Sequence, residues 1–202
     1  MPPKTELRRS IRAQLARMSP AAVAAASESI RQSIPSLPRW QDARVVAAYA
    51  ALPGEPDLRP LDWIGEKTVL LPRVDGEELV FHAVSDANQL KLGAVGVMEP
   101  DPEKCAAFDP REAEIIFVPG LAFTAEGQRL GRGRGFYDRL LAALPPEILR
   151  VGVCFAEQIV TDIPSESHDK EVDVVLSQPA GTRTRLGPRR ERTTERDRAP
   201  RQ

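Results

Sequence analysis

Apolar runs of five to seven residues, too short for free-standing helices, alternate along this chain with longer stretches of helical period. Arg44-Val45-Val46-Ala47-Ala48-Tyr49-Ala50 reads as a buried strand, and residues 67–71 as a second. Residues 78–84 alternate polar and apolar side chains, the pattern of an exposed or edge strand. Ala113-Glu114-Ile115-Ile116-Phe117-Val118 is a strong strand stopped by Pro119-Gly120, and residues 150–155 and 172–176 supply two more. Leu7, Ile11, Leu15 and Met18 line one face of a helix over 4–18. Ser19-Pro20 opens a second helix, with Ser as N-cap and Pro in the first turn, running to about Ile34. A short helix is expected over 57–64, and another from near Gly135 to Leu144, where Pro145-Pro146 ends it. This order predicts an α/β fold, a single domain with a mostly parallel central sheet flanked by helices.

The domain is expected over residues 1–180. Residues 181–202 hold eight arginines against Glu191, Glu195 and Asp197 and almost no apolar side chain, which predicts a disordered, solvated tail. The net charge of −1 therefore combines a tail of +5 with a body of −6. An acidic body argues against a nucleic-acid-binding domain, and the Arg-rich tail lacks the aromatic interleaving of a strand-binding arm. No stretch approaches the roughly 18 apolar residues of a membrane span. The first residues lack the apolar core of a secretory signal. Cys105 and Cys154 make neither a disulfide framework nor a CxxC pair. Reduced thiols and a cytoplasmic location are expected.

Against this acidic background, the run Arg129-Leu130-Gly131-Arg132-Gly133-Arg134-Gly135-Phe136-Tyr137-Asp138-Arg139 stands out. Glycines at alternate positions let backbone N–H groups approach an anion, and the helix that follows favours negative charge at its N-terminus. Arg129, Arg132 and Arg134 add guanidinium groups suited to phosphate oxygens. Neither common phosphate loop is present: GxxxxGK[ST] is absent, and GxGxxG fails at Phe136. A flexible turn with solvated arginines is the alternative. Asp138, in the first helical turn, is placed to recruit Mg²⁺ beside bound phosphate, or simply to complement the helix dipole.

The polar 163–170 turn lies between two apolar strands, and loops beyond strand C-termini gather ligands in α/β sheets. Asp169 there is a candidate second metal ligand, and His168 a weaker candidate base. His82, on the expected edge strand, is weaker still. Lys4 and Arg8, four residues apart, share a helix face opposite the apolar stripe, and act only if that helix docks beside the site. Glu55, in Pro53-Gly54-Glu55-Pro56, is an isolated carboxylate after the first strand.

Taken in order, these segments resemble the 5-formyltetrahydrofolate cyclo-ligase family. The resemblance covers residues 4–177, through Lys4-Thr5-Glu6-Leu7-Arg8, Glu55, Phe117-Val118-Pro119-Gly120-Leu121-Ala122-Phe123, the 127–139 run, Pro164, His168-Asp169 and Val172-Asp173. It implies a three-layer, NagB/RpiA/CoA-transferase-like α/β domain, and closure of 5-formyltetrahydrofolate to 5,10-methenyltetrahydrofolate with ATP and Mg²⁺, releasing ADP and phosphate. The formyl oxygen would take the γ-phosphate, and N10 would then displace it. By resemblance, Lys4, Arg8, Arg129, Gly131, Arg132, Gly133, Arg134, Gly135, Phe136 and Tyr137 bind the nucleotide. Arg129, Arg132 and Arg134 serve catalysis; Arg8, Ala50 and Glu55 meet the folate; Asp138 and Asp169 hold Mg²⁺. The implied partner is the folate, with or without a polyglutamate extension, with no membrane or nucleic acid and a monomeric chain. Thr124, Arg134 and Phe136 stand where members often carry Asp, Lys and Tyr. A phosphate-sensing module without turnover is the alternative from another class.

Overall fold

The computed structural model describes residues 3–59, 65–93, 96–166 and 168–178, and the backbone of 181–184. Two helices come first, α1 (Lys4–Leu15) and α2 (Pro20–Ser33). The Ser19 hydroxyl accepts from the Ala22 amide at 3.2 Å, as the N-cap signal predicts. The helix α1 stops three residues short of the expected Met18, with Ala16 as its C-cap.

A seven-stranded sheet forms the middle of the molecule. Five strands run parallel: β1 (Val45–Ala47), β2 (Thr68–Asp75), β6 (Ile115–Pro119), β9 (Leu149–Val153) and β10 (Val174–Ser177). The strands β3 (Glu78–Val84) and β11 (Gly181–Thr184) close its two edges antiparallel, giving the order β11-β10-β9-β6-β1-β2-β3. Two short hairpins lie outside it, β4 (Leu90–Leu92) with β5 (Met98–Pro100), and β7 (Ala122–Phe123) with β8 (Arg129–Leu130). The third helix is α3 (Phe136–Ala143).

Both faces of the parallel sheet are covered, which is why β6 is apolar at every position. Ile115 and Phe117 face a core shared with Ile11 of α1 and Ile30 of α2. Ile116 and Val118 face the opposite core, with Leu141 and Leu144. Burying each such side chain contributes about 1.5–3 kcal/mol. Helices on both sides of one sheet make the three layers.

The structure departs from expectation in three places. Residues 181–184 pair with β10, so the sheet extends past the expected boundary at 180; residues 185–202 lie outside the described residues. Residues 57–59 are not helical, and the rest of the expected 57–64 helix also lies outside them. The 119–130 segment, expected as plain loop, carries the β7–β8 hairpin. No described helix is long and apolar enough to cross a membrane. Cys105 and Cys154 are free and buried.

Candidate active site

The strand β6 ends at Pro119, and the chain reverses at Gly120. A side chain there would meet the Phe123 ring at 2.7 Å, so the turn needs glycine. Gln158 fixes the same turn, its Nε2 donating to the Gly120 carbonyl at 2.8 Å and the Leu121 carbonyl at 3.2 Å. The returning strand β8 buries Arg129, whose guanidinium donates to Pro119 O at 3.3 Å and to Asp138 Oδ1 at 2.6 Å.

Beyond β8 the glycine loop runs with Gly133 at φ 106° and Gly135 at φ 70°, conformations that favour glycine. Gly135 is the N-cap of α3 and, having no side chain, leaves the first-turn amides without a side-chain acceptor. Those amides and the helix dipole make an anion site. Arg139 Nη1 donates to the Arg134 carbonyl at 3.2 Å, and its Nη2 to the Glu77 carbonyl, tying the loop to the β2–β3 hairpin. Arg134 lies over the Phe136 ring, 6.0 Å from its centre.

The helix α1 docks against this loop. Arg8 Nε donates to Gly131 O at 2.9 Å, and its guanidinium carbon would stand 3.8 Å from any side chain at Gly133. Lys4 Nζ reaches Asp169 at 2.7 and 2.9 Å and Glu166 at 3.2 Å. Lys4 and Arg8, expected opposite the apolar stripe, lie beside it instead. They are half-buried and stand one and two turns before Ile11 and Leu15, in the i, i+4, i+7, i+11 register of one face.

From the other side comes the turn after β1. Arg132 Nε donates to Glu55 Oε1 at 2.7 Å and its Nη2 to Pro53 O at 2.9 Å, while Glu55 Oε2 accepts from the Leu52 amide at 2.9 Å. Glu55 is 5% exposed. Burial pushes its carboxyl up, against the opposing pull of Arg132 and the Leu52 amide.

Glu55 and Ala50 line a cavity of about 150 Å³ together with Arg129, Arg132, Arg134 and Asp138. Gly131, Gly135, Phe136 and Tyr137 complete the loop side. This space is small beside the ~300–1,000 Å³ usual for small-molecule sites. Lys4, Arg8 and Asp169 stand outside the described lining, behind the loop. The residues present fit a phosphate group well. For a divalent metal, Asp138 and Asp169 each offer a carboxylate, already paired with Arg129 and Lys4; among the described residues no three acidic, His or Cys side chains gather as a metal cluster.

Two polar lining residues carry no signal in the sequence. Glu99 of β5 is 5% exposed, and burial raises its carboxyl. Tyr49 is buried, its hydroxyl donating to Pro56 O at 2.7 Å. Alternation along β5 is too short to signal the first; Tyr49 lay inside an expected strand and read as core. Neither histidine reaches the cavity. His168 is exposed beside Glu166, and His82 Nδ1 lies 2.9 Å from Cys105 O.

A mostly parallel sheet with a glycine–arginine loop at a helix N-terminus, backed by a buried carboxylate, defines an α/β enzyme with donors of the kind that suit an anion. The chain belongs to the 5-formyltetrahydrofolate cyclo-ligase family, whose profile matches residues 1–178. It is 32% identical over 146 residues to the 5-formyltetrahydrofolate cyclo-ligase of Mycolicibacterium smegmatis, covering 68% of this chain and 75% of that one. The Saccharomyces cerevisiae cyclo-ligase is 28% identical over 207 residues, covering 87% and 95%. The solved structure of Aquifex aeolicus 5,10-methenyltetrahydrofolate synthetase superposes with a TM-score of 0.81 at 33% identity, covering 96% of this chain and 99% of that one. A synthetase from Mycoplasma pneumoniae shares the fold, with a TM-score of 0.72 at 19% identity, covering 87% and 99%.

Proposed function

We propose that this chain closes 5-formyltetrahydrofolate, with or without further glutamates, to 5,10-methenyltetrahydrofolate at the expense of ATP. The observation that carries the reading is the meeting of Arg129, Arg132 and Glu55 in one cavity at the uncapped N-terminus of α3, with Arg8 bonded to the loop at Gly131. Phosphoryl transfer asks mainly for positioning and charge neutralisation, and this loop supplies both.

In the proposed reaction the loop amides and Arg129 hold the γ-phosphate in line with the formyl oxygen. That oxygen attacks phosphorus, the bond to ADP breaks, and the formyl carbon becomes electrophilic. The N10 lone pair then adds to that carbon, N10 gives up its proton, and phosphate leaves with the former formyl oxygen. Glu55 accepts hydrogen bonds from the donor-rich edge of the pterin, taking them in exchange for Arg132. Mg²⁺, when bound, would neutralise phosphate charge, with oxygens from Asp138 and Asp169 in its shell. Lys4 and Arg129, released from those aspartates, would turn to phosphate oxygens.

The test is appearance of methenyltetrahydrofolate, followed by its absorbance, from purified protein. Product should form only when 5-formyltetrahydrofolate, ATP and Mg²⁺ are all present. Saturating mixtures that give none would overturn the reading.

A further inference from the structure

Arg139 stands in an unfavourable place for its charge. It is the fourth residue of α3, one turn after the Gly135 N-cap, where the helix dipole disfavours a cation. An exposed arginine there would ordinarily carry its head out into water. The guanidinium instead folds back over the start of the helix, 5.5 Å from the centre of the Phe136 ring. From there Nη1 donates to the Arg134 carbonyl at 3.2 Å and Nη2 to the Glu77 carbonyl. None of the roles assigned above uses this bridge.

The two carbonyls differ in how firmly they are held. Glu77 sits in the turn between β2 and β3, strands that pair without a break from Val69–Val84 to Asp75–Glu78. The Val74 amide of the same hairpin is bonded by the buried Glu99 carboxylate. That side of the bridge is an anchor. Arg134, by contrast, lies between Gly133 at φ 106° and Gly135 at φ 70°. Glycine at 135 accepts either sign of φ, so the peptide joining 134 to 135 can turn over at little steric cost. A trans peptide carries its C=O and N–H on opposite sides. Holding the Arg134 carbonyl on Arg139 therefore aims the Gly135 N–H the other way. That N–H makes no hydrogen bond to any described residue. Gly135 lines the site cavity, and Arg139 stands outside its described lining.

We propose that Arg139 is a positioning residue for the phosphate site. It locks the 134–135 peptide with its N–H free for the anion, and it ties that setting to the β2–β3 hairpin. The identity of the anion as ATP phosphate rests on the function proposed above; the lock does not. Both terminal nitrogens are engaged by carbonyls, so Arg139 acts through the loop and not by touching phosphate. Without it the peptide samples the reverse orientation, which turns a carbonyl oxygen toward the anion in place of a donor.

The experiment compares the full chain with its Arg139→Ala and Arg139→Lys variants. Arg139 is exposed, so both should fold. Calorimetric titration with MgATP should show binding about tenfold weaker to Arg139→Ala. In turnover the KM for ATP should rise about tenfold, while that for 5-formyltetrahydrofolate moves by less than about twofold. Lysine keeps the charge without a fork to bridge two carbonyls, so Arg139→Lys should recover only a small part of the loss. In ¹⁵N relaxation without nucleotide, the Gly135 amide should show an order parameter near ~0.85 in the wild type and below about 0.6 in Arg139→Ala. A surface contact that only stabilises the fold would lower Tm and leave the KM for ATP unchanged. A direct phosphate ligand would leave Gly135 equally rigid in both proteins and let lysine restore most of the binding. Either result would overturn the proposal. A wild type that binds no MgATP would instead count against the function proposed above, and the Gly135 order parameters would still decide whether Arg139 locks the peptide.

Discussion

Lys4 and Asp169, 165 residues apart in sequence, meet with Nζ 2.7 and 2.9 Å from the two carboxylate oxygens. The pair joins the first turn of α1 to the 163–170 turn before β10 and so brings both ends of the domain to the glycine loop. Burial opposes ionisation of Asp169. The Lys4 hydrogen bond, the Glu166 amide and the lysine charge outweigh it and hold the carboxyl below the ordinary range. Burial likewise opposes charge on Lys4, and its acidic partners overcome that and raise its pKa.

Removing the lysine tests the pair. Lys4→Ala should cost about 1–2 kcal/mol of stability at neutral pH, a fall in Tm of roughly 3–6 °C. A carboxyl depressed by folding contributes stability above its unfolded pKa and loses it as pH falls through the lower, folded value. A raised lysine does the reverse, losing its contribution only in strong alkali. The difference between Lys4→Ala and wild type should therefore stay flat from about pH 5 to 9 and shrink in acid below about pH 4, measured by thermal melts across pH.

Glu55 should behave in the opposite way. Its folded pKa is raised, so stability is lost as pH climbs from the ordinary carboxyl range up toward that value. Glu55→Gln removes this penalty, and its stability relative to wild type should improve as pH rises above about 4. Its KM for the folate should rise by about 10–100-fold through loss of a charged acceptor. A folate KM within twofold of wild type would take the carboxylate out of substrate binding.

Asp138→Asn probes the buried end of the site. Arg129 is 6% exposed, and Asp138 is its ion-pair partner at 2.6 Å. Asparagine keeps an acceptor but not the charge. Stability should fall by up to about 3 kcal/mol, less than full removal of a buried partner would cost. Turnover should fall more than about tenfold, with the deficit persisting at saturating Mg²⁺ and ATP. Normal turnover would remove Asp138 from the chemistry.

Gly135→Ala separates backbone strain from crowding. An L-residue at φ 70° costs about 1–2 kcal/mol, and the new Cβ would stand 2.8 Å from Arg139 Nη1. The arginine tip can move, so adding Arg139→Ala should recover little stability. Recovery to the level of Arg139→Ala alone, in melts of all three variants, would show that crowding decided the loss.

The parallel strands and the glycine loop were legible in the sequence because each carries its signal locally. Apolar runs fix β1, β6, β9 and β10, and alternation fixes β3. The hairpin strands β7 and β8 hold two residues each, shorter than any readable period. The stretch 181–184 reads Gly-Thr-Arg-Thr, with no apolar pattern, and joins the sheet through backbone pairing with β10. The pairs that assemble the site join residues too distant for any spacing rule, 77 apart for Glu55 and Arg132. At about 100° per residue Lys4 and Arg8 fall within about 70° of the centre of the Leu7-Ile11-Leu15-Met18 stripe, so the spacing itself puts them beside the stripe and not opposite it. Counting back from Ile11 and Leu15 puts the two cations on the docked face.

The loop itself is best tested by ¹H–¹⁵N spectra of the full chain during titration with MgATP. Grip by the backbone predicts that the amides of Gly133, Gly135, Phe136 and Tyr137 move together and saturate at one dissociation constant. Saturable binding with those four resonances still, and shifts confined to other parts of the sheet, would contradict it.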